Sequence, residues 1–277
     1  MRRFMVKPGE KAALKHANPD ALGQQKSQRH AKTELQKALE RLDELQSRMW
    51  AEHKHALLIV LQGRDAAGKD SLIRHVISGM NPQGCVVSSF KQPTPEELAH
   101  DFLWRVHKVS PARGTVAVFN RSQYEDVLAA RVHRLVPKKV WKARYREINE
   151  FEHLLYRDND TTVLKFFLNI SKEEQLARFA RRLDDPSRNW KISESDYTER
   201  DLWRDYTEAF EEMFRETSTY HAPWFIIPAN HKWSCHLNVA QILIEAMSDM
   251  GIKLPKPSVD LDAIRRKYHA EEKDRRS

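Results

Sequence analysis

At 277 residues, with 40% hydrophobic residues and 7 Trp, the chain can bury one substantial core and is too apolar for a disordered polymer. Lys and Arg outnumber Asp and Glu by 47 to 39, a formal charge of +8 that attracts anions without choosing among nucleic acid, acidic lipid and phosphorylated small molecules. The basic start "MRRFMVKPGEKAALKH" has no apolar stretch behind it, and no apolar run approaches the roughly 18 residues of a membrane span. A soluble, cytoplasmic protein is expected, with Cys85 and Cys235 as free thiols.

Residues 1–28 are polar with scattered Pro and Gly and read as an irregular arm. Over residues 31–52, Leu35, Leu39, Leu42, Leu45 and Met49 recur at steps of three and four. That is one face of a helix of about six turns, either a coiled-coil seam or a stripe packed onto the domain or a sister subunit. "ALLIVLQ" (56–62) is the first predicted strand, and a helix opens near Gly68. "CVVSSF" (85–90) is the second strand, and residues 93–106 read as one helix with Pro95 in its first turn. "TVAVF" (115–119) is the third, followed by a helix over 138–156 that buries Trp141, Tyr145, Ile148, Phe151 and Leu155. "TVLKFFLNI" (162–170) is the fourth, and residues 171–183 form a helix capped by Ser171 with Glu174 three residues on. A helix over 197–214, a fifth strand "WFIIPA" (224–229) and a helix over 236–247 complete the pattern. Strands this apolar, alternating with helices, predict a three-layer α/β domain with a parallel sheet of about five strands and helices on both faces. Its predicted extent is residues 56–250, after an N-terminal arm and amphipathic helix (1–55) and before a tail (251–277).

Gly63, Arg64, Asp65, Ala66, Ala67, Gly68 and Lys69 have the G-x-x-x-x-G-K spacing of a P-loop, directly after a strand and at the opening of a helix. In such a loop backbone N–H groups converge on phosphate oxygens, the helix N-terminus adds partial positive charge and the lysine ammonium bridges phosphates. The hydroxyl that usually follows the lysine is one place late, at Ser71, with Asp70 between. A carboxylate among phosphates makes sense if a divalent cation mediates, and Asp65, in the turn itself, is the better candidate ligand. Asp70 lies on the first helical turn, where negative charge is favoured without any catalytic role. G-x-G-x-x-G, G-x-S-x-G and zinc-type spacings are absent, and "HKH" (53–55) reads as a solvated helix end.

A second constellation, "VFNRSQYEDVLAARVHR", follows the third strand. Asn120 and Arg121 stand at the carboxyl end of that strand, where ligands collect in open α/β sheets and where nucleoside monophosphate kinases bind the acceptor phosphate. Glu125, as a metal ligand, and Asp126 follow, with an exposed charged helix start as the alternative for both, and then Arg131 and Arg134 as further nucleotide contacts. In the third, Arg178, Arg181 and Arg182 share one helical face, and a polar loop with Lys191 follows. Phosphotransferases close such basic helical hairpins over reacting phosphates, so a lid over about residues 178–198 is expected.

"GRDAAGKD", "FNRSQYEDV", "EEQLARFARRLDDPSRNWK" and "APWFIIPANHKW", in this order, resemble the polyphosphate kinase 2 family of polyphosphate:nucleotide phosphotransferases, over about residues 57–247. The resemblance implies a P-loop kinase fold with a helical lid, and Mg²⁺ (or Mn²⁺) that bridges Asp65 to the reacting phosphates; Glu125 is the second metal ligand expected. It implies phosphate-loop roles for Asp65 and Lys69, an acceptor-side role for Arg121 and lid roles for Arg178 and its neighbours. Many relatives have Asp where Asn120 stands, and the Asn form followed by "YED" resembles the subgroup that accepts both AMP and ADP. The implied partners are inorganic polyphosphate, AMP, ADP, ATP and guanine nucleotides, and copies of the same chain in a dimer or tetramer, with neither nucleic acid nor membrane. The rival readings are an ATP-dependent nucleoside monophosphate kinase and a nucleic-acid-binding module with a vestigial loop.

Overall fold

The computed structural model describes residues 2–23 and 27–275; residues 1, 24–26 and 276–277 of the predicted arm and tail lie outside the described residues. Five apolar runs become strands: β1 (Ala56–Gln62), β2 (Cys85–Ser89), β3 (Val116–Asn120), β4 (Thr161–Asn169) and β5 (Trp224–Pro228). They form one all-parallel sheet of order β2-β3-β1-β4-β5. Along β1, Leu57, Ile59 and Leu61 enter one hydrophobic cluster, and Leu58 and Val60 enter the other. β4 divides the same way, Leu164, Phe166 and Leu168 against Val163 and Phe167. Strands whose side chains alternate between two buried faces are apolar at nearly every position, and the buried Lys165 of β4 is the charged exception in these two.

The helices in chain order are α1 (Gln28–Glu52), α2 (Lys69–His75), α3 (Pro95–Leu98), α4 (Trp104–His107), α5 (Glu125–Val132), α6 (Lys138–Asn159), α7 (Lys172–Leu183), α8 (Glu194–Asp201), α9 (Trp203–Thr217), α10 (Lys232–Asp249) and α11 (Leu261–Asp274). Residues of α1, α2 and α10 fill the cluster on one face, and residues of α4, α5, α6 and α9 the cluster on the other. The stripe of α1 buries Leu42, Leu45 and Met49 against the domain's own α10, and α6 buries all five residues named from its periodicity. The arm is less irregular than its composition suggests. Met5 bridges Phe225 antiparallel, Val6 N–H donates to Trp224 O at 2.9 Å, and Val6 and Leu14 are buried, so the arm covers the β5 edge.

Three helical expectations are corrected. Residues 93–106 break into α3 and α4, because the Asp101 carboxylate accepts the Leu103 N–H at 2.9 Å and competes with the helical bond. Residues 197–214 bend at Leu202 into α8 and α9: α9 buries Ala209, Phe210, Met213 and Phe214, while α8 buries Asp196 alone. The tail contains α11, capped by Asp260, which accepts from Asp262 N and Ala263 N. Among the described residues no helix is long and apolar enough to cross a membrane. The chain leaves β1 for β2, returns to β3 and then crosses to β4, so connections diverge at the carboxyl ends of β1 and β3 and open a crevice there.

Candidate active site

The loop of residues 63–68 fills that crevice. Gly63, at φ +151, has no room for a side chain, since a Cβ would come within 2.9 Å of Leu168 O. Gly68, at φ +113, turns the chain into α2, and Ala66 takes a left-handed φ of +60. The loop's carbonyl oxygens are taken by side chains. Lys69 Nζ donates to Gly63 O at 2.7 Å and Arg64 O at 3.3 Å. Gln175 Nε2 donates to Asp65 O at 3.0 Å, and Arg178 Nη1 to Ala66 O and Ala67 O, both at 2.7 Å. A trans peptide points its N–H opposite to its C=O, so each of these peptides turns its amide away from the donor. Lys69 is buried against its own loop. Burial, and then the charge of Arg121, pulls its ammonium down to about 8.

The second constellation arrives from β3. Arg121, at φ +61, donates its amide to Leu61 O at 3.1 Å, which ties this turn to the end of β1. Its guanidinium lies 2.7 Å from Asp65 Oδ1 and 3.8 Å from Glu125 Oε2, so one cation separates two carboxylates. Burial opposes the Arg121 charge, but Glu125 and Asp65 outweigh it and hold the guanidinium above its ordinary value. Burial raises Glu125 above the usual carboxylate range, against the pull of Arg121 and Lys69. Asp70 lies on the first turn of α2, and its carboxylate accepts from Asn120 Nδ2 at 2.9 Å. Ser71 Oγ lies 3.3 Å from His236 Nε2 of α10, a partner outside the phosphate loop.

The remaining predicted residues divide. Arg64 lies over the Trp203 ring at 3.8 Å and bonds Thr207, lining a separate cavity under residues 14–19. Arg178 is 4% exposed, and besides the loop carbonyls it bonds Ala229 O, Asn230 O and Glu174, so it braces the loop where a mobile lid arginine is expected. Arg181 pairs with Glu174 at 2.6 Å and stays exposed. Arg182 donates to Lys191 O at 2.8 Å, tying residues 184–193 back to α7, and Lys191 Nζ lies over Trp190. Arg131 pairs with Glu212 of α9 at 2.6 Å and lies over Trp141, six residues or about 9 Å along α5 from Glu125. Arg134, exposed, follows the C-cap His133 of α5 with a φ of +54. The structure thus gives Arg131 a helix-junction partner instead of the expected phosphate side.

Other groups near the site carry no sequence pattern of their own. Asp196 of α8 is raised by burial and by Asp65, against the Ser193 N–H that it accepts at 2.9 Å. Glu199 lies 2.9 Å from His133, and its charge reaches Arg121. Partial burial, then Arg178, Arg181 and Arg188, lowers the Lys232 ammonium, which marks a cluster of cations between the later turns of α7 and the start of α10. Beside Asn120, at the carboxyl end of β2, a cavity of about 250 Å³ is lined by Ser88, Phe90, Lys91, Thr94, Glu97 and Arg105. Phe90 N–H donates to Asn120 O at 3.1 Å, so a backbone hydrogen bond joins the cavity wall to the turn.

A P-loop on an all-parallel sheet, with acids and an arginine at its mouth, defines a phosphotransferase-type α/β fold. Residues 25–255 match the polyphosphate kinase 2 (PPK2) family. The chain is 46% identical over 265 residues to the AMP/ADP-polyphosphate phosphotransferase of Meiothermus ruber, covering 95% of this chain and 99% of that protein. It is 43% identical to the ADP-polyphosphate phosphotransferase of Rhodopseudomonas palustris, covering 92% of each. A crystal structure of polyphosphate kinase 2 from Arthrobacter aurescens TC1 superposes with a TM-score of 0.93 at 41% identity, covering 97% of this chain and 96% of that one. The chain belongs to the polyphosphate kinase 2 family.

Proposed function

We propose that this chain transfers the terminal phosphoryl group of inorganic polyphosphate to AMP and ADP, giving ADP and ATP, in a reversible reaction that needs a divalent cation. The observation that carries the reading is the loop whose carbonyls are taken by Lys69, Gln175 and Arg178, with Arg121 of the neighbouring turn set between the loop's own Asp65 and Glu125. The relatives' activities agree with it.

The loop amides and Lys69 hold the donor end of polyphosphate; two Lys69 donors serve loop carbonyls, which leaves the third for a phosphate oxygen. Arg181, Arg188 and Lys232 hold the polyanion beyond it, an attraction that salt screens. Arg121 and Asn120 orient the acceptor phosphate, and the cavity beside Asn120 takes the nucleoside. The acceptor oxygen, already ionised at neutral pH, forms its bond to the terminal phosphorus in line with the bridging oxygen that leaves. Alignment and charge stabilisation therefore matter more than a general base. Asp65 and Glu125 are two oxygen donors of the kind Mg²⁺ or Mn²⁺ accepts alongside substrate phosphates. Among the described residues no cluster of three or more His, Cys, Asp or Glu offers a protein-only cage. When bound, the cation would offset charge on the phosphates.

Asn120 supports use of both acceptors. A neutral amide satisfies Asp70, whereas an aspartate would set two carboxylates against each other and add a charge beside the acceptor. The same reading carries a cytoplasmic location and a homo-oligomer, dimer or tetramer, that light scattering would count. Purified protein given polyphosphate, ADP and Mg²⁺ without ATP should form ATP, and AMP should yield ADP first and ATP later. Phosphorylation of AMP from ATP but not from polyphosphate would replace this reading with a nucleoside monophosphate kinase.

A further inference from the structure

The turn that carries Arg121 and Glu125 is held from beneath by groups closed to solvent. Arg121 takes a left-handed φ of +61, a conformation that persists in a residue with a side chain only where its surroundings enforce it. Ser122, Gln123 and Tyr124, which follow it, are each 0% exposed. Ser122 Oγ accepts from Gln62 Nε2 at 3.1 Å and from Tyr124 N–H at 3.3 Å. Tyr124 donates its phenol proton to Glu152 Oε1 at 2.8 Å, and Gln123 Nε2 donates to the same oxygen at 3.4 Å. Glu152 belongs to α6, and opposite it stands Lys165 of β4; both are 0% exposed. Lys165 Nζ donates to Glu152 Oε2 at 2.6 Å, Tyr124 Oη at 2.9 Å and Thr217 O at 2.7 Å, so each of its three protons has an acceptor.

Such a pair is a poor source of stability. Desolvation offsets its attraction, and apolar residues of the same volume commonly do as well or better. Burial accordingly raises Glu152 and lowers Lys165. What a saturated pair supplies and an apolar contact does not is direction: the Glu152 oxygen fixes where the Tyr124 hydroxyl and the Gln123 amide must lie. Tyr124 is also the last residue before α5, so its position sets where Glu125 begins that helix.

We propose that Glu152 and Lys165 are positioning residues for phosphoryl transfer, acting through Tyr124 and Gln123 to fix the turn that presents Arg121 and Glu125. This inference rests on the roles given to Arg121 and Glu125 above.

The test uses Tyr124→Phe, which removes a single oxygen, and the double variant Glu152→Leu with Lys165→Met. For each, kcat and KM are measured with polyphosphate, ADP and Mg²⁺, beside near-ultraviolet circular dichroism and thermal melting. Tyr124→Phe should fold and lose about tenfold in kcat, and the double variant about a hundredfold, with KM for polyphosphate within twofold of wild type. In an Arg121→Lys background the tenfold penalty of Tyr124→Phe should shrink toward one, because both changes act on the same turn. Folded variants with wild-type kcat and a lowered melting temperature would reduce the pair to a core contact and overturn the proposal alone. So would an undiminished tenfold penalty in the Arg121→Lys background. A wild type that makes no ATP from polyphosphate and ADP overturns the functional reading as well, and the two failures are distinguished by that control.

Discussion

The loop of residues 63–68 and the turn of residues 120–125 both follow a buried parallel strand, and both contain a left-handed residue that is not glycine, Ala66 in one and Arg121 in the other. They are held in opposite ways. The loop is gripped through its backbone, by the amide of Gln175 and by cations, Lys69 and Arg178, whose donors take its carbonyls. The turn, beyond the backbone bonds of Asn120 and Arg121 to neighbouring strands, is gripped through its side chains, by a neutralised carboxylate–ammonium pair in the core. A loop that must offer amides to an anion benefits from donors on its carbonyls. A turn that must offer a guanidinium and a carboxylate turns those side chains toward the crevice, and so is held at the residues between them.

The comparison predicts different failures. Lys69→Ala should have the largest effect, a loss of about a hundred- to a thousandfold in kcat/KM, measured with ADP and polyphosphate. Retention of more than about a tenth of the activity would deny the lysine its part in the donor site. Arg178→Met should act first on stability. It strips donors from four backbone carbonyls and should cost about 3 kcal/mol or more, seen as a fall in Tm of about 6 °C or more. An unchanged melt would mean that the loop does not depend on this brace.

A smaller effect should follow pH. With Lys69 at about 8, its charge is present below that value, so activity should decline as pH rises through about 8. The raised Glu125 should set the acid limb, since it must ionise to serve a cation. For stability the sign runs the other way at the lysine. Its folded value lies below the ordinary 10.5, so the unfolded chain binds more protons between the two and this contribution improves as pH rises from about 8. A pH–rate profile of Lys69→Arg whose alkaline limb stays at the wild-type position would assign that limb to another group. The smallest effect is expected from Arg181→Ala: an exposed pair with Glu174 is lost, Tm stays within about 2 °C, and KM for long polyphosphate rises about threefold at low salt and less at high salt. Equal effects on short and long chains would remove Arg181 from the polyphosphate path.

Much of this was legible in the residues themselves. The five strands are periodic apolar runs, the loop is a fixed spacing of two glycines and a lysine, and Asn120 and Arg121 fall at a strand end by counting. The arginines of α7 are less legible, because helical spacing puts Arg178, Arg181 and Arg182 near one another without saying which meets the loop. Asp196, Glu199 and Lys232 had no motif to give them away.

The sequence by itself determined the parallel sheet, the phosphate loop and the family, since these depend on residues a few places apart and on the period of burial. Only the tertiary structure decided which charges are braces and which face the crevice. Arg178 meets carbonyls more than a hundred positions away in the chain, Arg131 meets Glu212, and Glu152 meets Lys165 and Tyr124 inside the core. A charged side chain takes its role from the partner that desolvation forces on it, and that partner is set by how distant segments pack.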